Sequence, residues 1–172
     1  QCPTIYMNGF GEHRIEGIGD KHIPWVHNVK NTDAVVAMDD EIPMNMIRLF
    51  NEPEGKKLLK SVGVSEDIIS KLQWAGISGC ANIAAAIKTA KYFELKEDDV
   101  LVTVLTDSMD MYESRLVEMT ELHGEFTKLE AYRVYHQYLQ GINTEYMKEL
   151  NYRERKAVHN LKYYTWVEQQ GK

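Results

Sequence analysis

The sequence predicts an α/β protein in which a partial parallel sheet with flanking helices is followed by an all-helical C-terminal extension. Two short apolar runs carry this prediction: residues 34–38 (AVVAM) and residues 100–105 (VLVTVL). The first run is compact and bounded by polar residues, which is typical of a strand buried on both faces of a sheet. The second run is rich in β-branched side chains, which favour strands. Helical patterns fill the interval between them, and this alternation indicates parallel strands joined by crossover helices.

Four helices are predicted between the two runs. The first begins at residues 39–40 (DD), because carboxylates accept hydrogen bonds from the free amides of a helix N-terminus. The second covers residues 53–61, before a glycine break, and the third begins at Ser65, a capping residue followed by two acids. The fourth covers residues 80–93, where many alanines would let the helix lie close against a sheet.

Residues 113–172 have a different pattern. Their apolar residues recur at helical spacing, and they hold most of the ten tyrosines, which predicts three or four helices without strands. The sequence therefore divides into residues 1–112 and a helical extension over residues 113–172. Tyrosine at helical spacing is typical of a core or a subunit interface.

Composition and charge exclude several classes of protein. The 172 residues are 44% hydrophobic, too apolar for a disordered chain, and no apolar run is long enough to span a bilayer. The formal net charge of -6 argues against a general nucleic-acid binder. Cys2 and Cys80 make neither a disulfide framework nor a zinc set, which indicates a reducing compartment, so we expect a cytoplasmic protein.

Single reactive residues give weak signals. The spacing of the six histidines matches no metal-binding motif, so no metal site is predicted. Cys80 follows a turn at a helix N-terminus, where the pKa of a thiol can fall, although its small apolar neighbours favour a buried structural cysteine. In the turn formed by residues 76–79 (GISG), Ser78 stands at the mouth of a helix, where backbone donors converge on a polar group of a ligand.

Four motifs follow one another along the first two thirds of the chain. They are residues 12–24 (EHRIEGIGDKHIP), 35–41 (VVAMDDE), 76–81 (GISGCA) and 102–108 (VTVLTDS). In this order they resemble the pyridoxal-phosphate enzymes of the cysteine synthase type, and the resemblance covers roughly residues 1–112. It implies the fold that this family shares with the tryptophan synthase β chain, cystathionine β-synthase and threonine dehydratase (fold type II).

The resemblance also implies a cofactor site and a reaction. In this family the serine of the glycine-serine turn makes a hydrogen bond at the pyridine nitrogen of the cofactor, and Ser78 matches it. Gly76 and Gly17 match positions where the missing side chain lets the backbone approach the cofactor. The neutral hydroxyl leaves the pyridine nitrogen largely unprotonated. This suits β-elimination and β-replacement on a small amino acid of the serine, O-acetylserine or cysteine type.

The family's Schiff-base lysine, its substrate-carboxylate loop and its phosphate-binding loop lie upstream of these motifs, and none is visible in this sequence. Lys21 does not have the sequence context of the cofactor lysine. We therefore expect the C-terminal portion of such a lyase or synthase, with no catalytic residue of its own. Pyridoxal 5'-phosphate would bind to the parent protein without a covalent bond to this chain, and the chain alone would be inactive.

Two alternatives stay open. The tyrosine-rich extension also suits a non-catalytic interaction or regulatory module that reuses half of the fold, and the missing lysine also suits one chain of a split enzyme. A parallel sheet that is cut short exposes an unpaired apolar edge. We expect either a homo-oligomer or a complementary N-terminal half to cover that edge. The other expected partner is the small amino-acid substrate, and neither nucleic acid nor a membrane is expected.

Overall fold

Helices make up most of the computed structural model, which describes residues 2–7, 11–15 and 17–171. Its α-helices are α1 (Thr4–Met7), α2 (Glu41–Asn51), α3 (Pro53–Ser61), α4 (Glu66–Lys71), α5 (Ile77–Tyr92), α6 (Glu113–His123), α7 (Lys128–Val134) and α8 (Tyr152–Tyr163). Short 3-10 turns lie at Val29–Asn31, Leu72–Trp74 and Met109–Met111, and π-helical turns follow α7 and α8 at Tyr135–Gln140 and Tyr164–Glu168. The strands of the described chain are β1 (Ala34–Val36) and β2 (Met147–Glu149).

The four helices predicted between the two apolar runs are confirmed. α2 follows Asp39, whose Oδ1 accepts a hydrogen bond from the Glu41 amide at 2.8 Å. α3 has the predicted bounds, and the Ser65 hydroxyl caps α4 by accepting from a backbone amide of its first turn at 3.3 Å. α5 begins at Ile77, earlier than predicted, because the extended backbone of Gly76 serves as its N-cap.

α2 is the central helix of the molecule. Residues 43–50 are all buried, because α3, α5, α6 and α7 pack around this helix. The buried stretch carries a charge at Arg48, whose guanidinium donates to Glu52 Oε1 at 2.6 Å and to the Gly124 carbonyl at 2.9 Å. The same guanidinium lies over the Phe126 ring. These partners offset the cost of removing the charge from water.

α5 packs against α2 through small side chains. Cys80, Ala81 and Ala84 are fully buried in the core that the two helices share. The alanines were expected to place this helix against a sheet, but Ala81 and Ala84 lie in the core shared with α2, and α5 makes fewer contacts with β1. Within the residues that the structure describes, no helix has the length and apolar character needed to cross a membrane.

The predicted partial parallel sheet is wrong. The sheet of the described residues has two strands, and β1 pairs antiparallel with β2, with Ala34 opposite Glu149 and Val36 opposite Met147. Of the residues that the structure describes, 58% are helical. Because β2 lies in the C-terminal part, the prediction that this part is all-helical is wrong as well. A short apolar run does not reveal the direction of its partner strand, and β1 is half-buried rather than covered on both faces.

The second predicted strand is also wrong. Residues 100–105 have no regular secondary structure, and Val100 and Val102 are 87% and 86% exposed. A strand exists only where a neighbour pairs with its backbone. No described segment hydrogen-bonds to this one through its backbone, so the apolar run stays on the surface.

The C-terminal helix holds the N-terminal loop in place. Trp166 Nε1 donates to the carbonyl of Ile23 at 2.7 Å. Ile23 and Val29 form a small apolar cluster with Val158 of α8. The loop that includes Gly17 thereby reaches the start of α5, where it contacts Ser78. The predicted motif at residues 12–24 includes position 16, which lies outside the described residues.

Candidate functional site

The candidate site lies at the N-terminal end of α5. Ser78 is in the first turn of this helix, and its side chain is fully buried. The Ser78 hydroxyl has no hydrogen-bond partner among the described residues. Most buried polar groups in proteins are paired, so an unpaired hydroxyl in a buried position indicates a missing partner.

Gly17 covers this hydroxyl with its backbone. A Cβ atom built on Gly17 would fall far inside van der Waals contact of Ser78 Oγ and 3.1 Å from Ser78 Cβ. No other amino acid therefore fits at position 17 without moving one of the two segments. Gly17 is itself exposed to solvent, so the loop backbone lies between the hydroxyl and the outside.

Gly76 is required for a second close approach. A Cβ atom at this position would lie 2.8 Å from Asp107 Oδ1 and 2.9 Å from Tyr112 Cε2. The Gly76 amide also donates to the carbonyl of Asp107 at 2.9 Å. Asp107, which follows the apolar run at residues 100–105, is thus hydrogen-bonded to the N-cap residue of α5.

Asp107 is held by two hydroxyl groups. Tyr112 Oη donates to Asp107 Oδ2 at 2.5 Å, and Thr106 Oγ1 donates to Asp107 Oδ1 at 3.1 Å. Tyr112 is buried and Asp107 is half-buried. The two hydrogen bonds fix the orientation of the Asp107 carboxylate beside Gly76.

The three residues that the family resemblance assigned to cofactor binding lie around the start of α5. Gly17 contacts Ser78, and Gly76 stands two positions before Ser78 at the helix start. The sequence reasoning did not assign roles to Asp107 and Tyr112. Asp107 belongs to the motif at residues 102–108, so the sequence does mark this segment. The motif does not show, however, that the chain folds back and places Asp107 beside Gly76.

Cys80 lies two residues after Ser78 in α5 and is fully buried. Burial raises the pKa of its thiol far above the ordinary value, and the negative charge of Asp107 raises it further. Its Sγ faces the carbonyl of Ala75 at 3.6 Å. A thiol that stays protonated is a poor nucleophile, so the structure favours the structural role of this cysteine over a reactive one.

A cavity of about 800 Å³ is lined by the loop that leads to and from Gly17. Its lining includes His13, Arg14 and Lys21, together with Asp40 from the start of α2. Ser78 does not line this cavity. The Gly17 backbone covers the Ser78 hydroxyl, so a ligand held in this cavity does not contact it.

A metal centre finds no support in the described part of the chain, where no three His, Cys, Asp or Glu side chains are grouped as metal ligands. The groups around Ser78 are its own neutral hydroxyl, the backbone of two glycines and the hydrogen-bonded carboxylate of Asp107.

Comparison with family models, curated proteins and solved structures finds no match for this chain.

Proposed function

We propose that this chain carries the part of a pyridoxal 5'-phosphate site that receives the ring nitrogen of the cofactor. The parent protein would be a lyase or synthase that acts by β-elimination or β-replacement on a small amino acid such as serine, O-acetylserine or cysteine. The observation that carries the proposal is the Ser78 hydroxyl, which is buried, lies under a glycine backbone and has no partner among the described residues.

The chemistry of this hydroxyl fits a pyridine nitrogen. A serine hydroxyl has one proton to donate, and an unprotonated ring nitrogen is a hydrogen-bond acceptor. Burial excludes competing water, which strengthens a hydrogen bond made there. Gly17 and Gly76 carry no side chains. The Gly17 backbone covers the Ser78 hydroxyl, so this loop has to move before a flat ring can lie against Ser78.

When bound, pyridoxal phosphate supplies a ring that withdraws electrons from the α carbon of an amino acid. The role of Ser78 is to donate its proton in a hydrogen bond to the ring nitrogen while remaining neutral. A carboxylate at the same position would favour a protonated nitrogen. Asp107 lies beside Gly76, where Tyr112 and Thr106 donate to its two oxygens.

The cofactor-bonding lysine is not expected from this cluster. Lys21 lines the neighbouring cavity rather than the Ser78 cluster. In this proposal the lysine belongs to another part of the parent protein or to another chain. Binding to the present chain is then non-covalent and rests on Ser78 and the glycine backbone.

The test measures binding of pyridoxine 5'-phosphate, which has the ring nitrogen of the cofactor but no aldehyde to react with surface lysines. Isothermal titration calorimetry compares the wild-type chain with Ser78→Ala and with Ser61→Ala. Ser61 is the matched control because its hydroxyl already donates to the Leu58 carbonyl. We expect Ser78→Ala to weaken binding about three- to tenfold, the loss of one hydrogen bond, and Ser61→Ala to leave it unchanged.

Two results would contradict the proposal. One is the absence of measurable binding to the wild-type chain at millimolar concentrations of the probe. The other is equal affinity of wild type and Ser78→Ala, which would show that any binding takes place elsewhere on the chain.

A further inference from the structure

Residues 100–106 form an apolar segment on the surface of the protein. Exposure alternates along it: Val100, Val102 and Val104 point outward, whereas Leu101 and Leu105 are less exposed. A period of two is the pattern of an extended chain. The segment therefore presents a row of valines to solvent.

One side of this segment rests on α5. The side chain of Leu105 approaches Gly79, where a Cβ atom would lie 3.3 Å from Leu105 Cδ2. Asn82 Nδ2 donates to the carbonyl of Val104 at 2.8 Å. α5 thus supports the segment in the way that a helix supports a strand of a sheet.

The segment makes no hydrogen bonds to the backbone of another described segment, although its Val104 carbonyl accepts from the Asn82 side chain. From Val100 to Thr106, no backbone amide or carbonyl bonds to the backbone of any described residue. The segment is nevertheless fixed at both ends, because the Asp99 amide donates to the Lys96 carbonyl and the Gly76 amide donates to the Asp107 carbonyl. An extended edge that is held in place and unpaired is a template for an added strand.

The charges around the segment favour a particular occupant. Glu97, Asp98 and Asp99 precede it, and Asp107 and Asp110 follow it. If two copies of the chain paired through this edge, parallel or antiparallel, acidic residues would face acidic residues at both ends. Like charges in opposed positions destabilise strand pairing. A second copy is therefore a poor partner, and a segment with basic ends is a good one.

We propose that residues 100–106 are a docking edge for an extended segment of another polypeptide chain. That segment is apolar at alternate positions, has lysine or arginine at both ends, and adds to the edge as a β-strand. This inference goes beyond the cofactor site and does not depend on it, because the edge and Ser78 are tested with different probes.

The experiment uses the full chain and fluorescent synthetic peptides. The test peptide has alternating valine and threonine between two Lys-Lys ends, and a second peptide has the same centre between Glu-Glu ends. A third peptide has the Lys-Lys ends and a central proline, which removes a backbone donor. Fluorescence anisotropy at low salt measures affinity, and amide hydrogen exchange measures protection of residues 100–106.

We expect the Lys-Lys peptide to bind about tenfold more tightly than the Glu-Glu peptide, with a difference that shrinks as salt is added. It should slow hydrogen exchange at residues 100–106, and the proline peptide should lose most of the affinity. Val102→Lys should weaken binding at least about tenfold. Its matched control is Val26→Lys, which alters a valine of equal exposure, 89% against 86%, outside the edge. That control should bind as wild type does.

Three results would overturn the proposal. The first is no binding of the Lys-Lys peptide, and the second is equal binding of the peptides with basic and acidic ends. The third is a concentration-dependent dimer in analytical ultracentrifugation that Val102→Lys converts to a monomer, since a second copy would then occupy the edge. Circular dichroism of Val102→Lys checks that the variant is folded, as expected for a side chain that contacts mainly solvent.

Discussion

Replacing Ser78 by alanine should stabilise the chain in the absence of ligand. The hydroxyl is buried without a partner among the described residues, and a buried unsatisfied polar group costs about 1–3 kcal/mol. Alanine removes that group and keeps the Cβ atom, so packing around the backbone is preserved. Its higher helix propensity adds up to roughly 0.5 kcal/mol in the first turn of α5. The expected gain in the free energy of unfolding is therefore about 1–3 kcal/mol.

The assay is urea denaturation followed by circular dichroism, with Ser61→Ala as the control. Ser61 is also helical, but its hydroxyl donates to the Leu58 carbonyl at 2.7 Å. Alanine there gains the same helix propensity and loses an intact hydrogen bond, so its net effect should be close to zero or destabilising. In thermal unfolding, each kcal/mol corresponds to roughly 2–4 °C for a chain of this size.

A destabilised Ser78→Ala variant would refute this reasoning, because it would show that the hydroxyl is satisfied in the folded chain. Ligand addition separates stability from function. Pyridoxine 5'-phosphate should stabilise the wild-type chain more than Ser78→Ala, since a ligand stabilises the state that it binds. Ser78 would then lower the stability of the chain without ligand and raise its affinity for a ligand that has a ring nitrogen.

Three further predictions concern the residues around this site and a buried lysine. Gly17→Ala should lower the free energy of unfolding by about 1–3 kcal/mol in urea denaturation, because its Cβ would overlap Ser78 Oγ. The double variant with Ser78→Ala should recover part of that loss. If the effects of the two substitutions on stability simply add, residues 17 and 78 are not in contact. The pKa of Cys80 is raised by burial, so the folded chain keeps a proton that the unfolded chain releases above the ordinary thiol pKa of 9.0. Stability should then fall by about 1.4 kcal/mol per pH unit above that value relative to Cys80→Ala, and parallel pH profiles would show the prediction to be wrong. Lys88 is buried and burial lowers its pKa, although Glu145 and Asp39 act in the opposite direction. As the pH rises, the folded chain therefore releases the Lys88 proton before the unfolded chain does. The free energy of unfolding relative to Lys88→Met should then rise with pH up to the ordinary lysine pKa of 10.5. A fall over that range would show that the pKa of Lys88 is not lowered in the folded chain.

Helix positions were predictable because their signals are local. The caps at Asp39 and Ser65 act on amides within the same turn, and the bounds of α3 follow from Pro53 and the glycine after it. Gly17, Gly76 and Ser78 were assigned to cofactor binding through a family resemblance in short motifs, and that assignment stays a prediction. Each of these signals is contained in a few consecutive residues.

The sheet and the carboxylate of the site were not predictable in this way. The partner of β1 comes from Met147–Glu149, a segment with no strong strand pattern. Residues 100–105 have a strong strand pattern, but no described segment pairs with them. Asp107 reaches Gly76 only because the chain folds back, which no local pattern records. Pairing depends on which segments meet in space, and the residues of one segment do not determine it.

The pairing of β1 with β2 has a consequence for how the chain folds. Ala34 and Glu149 are neighbours in the ladder although most of the chain lies between them. Contacts between distant residues are slow to form, because the loop must close before the hydrogen bonds are gained. The helices from α2 to α5 depend on closer contacts and should form first. During synthesis, the loop over Ser78 would then stay unattached until α8 has left the ribosome, so Ser78 is the last of these residues to be covered.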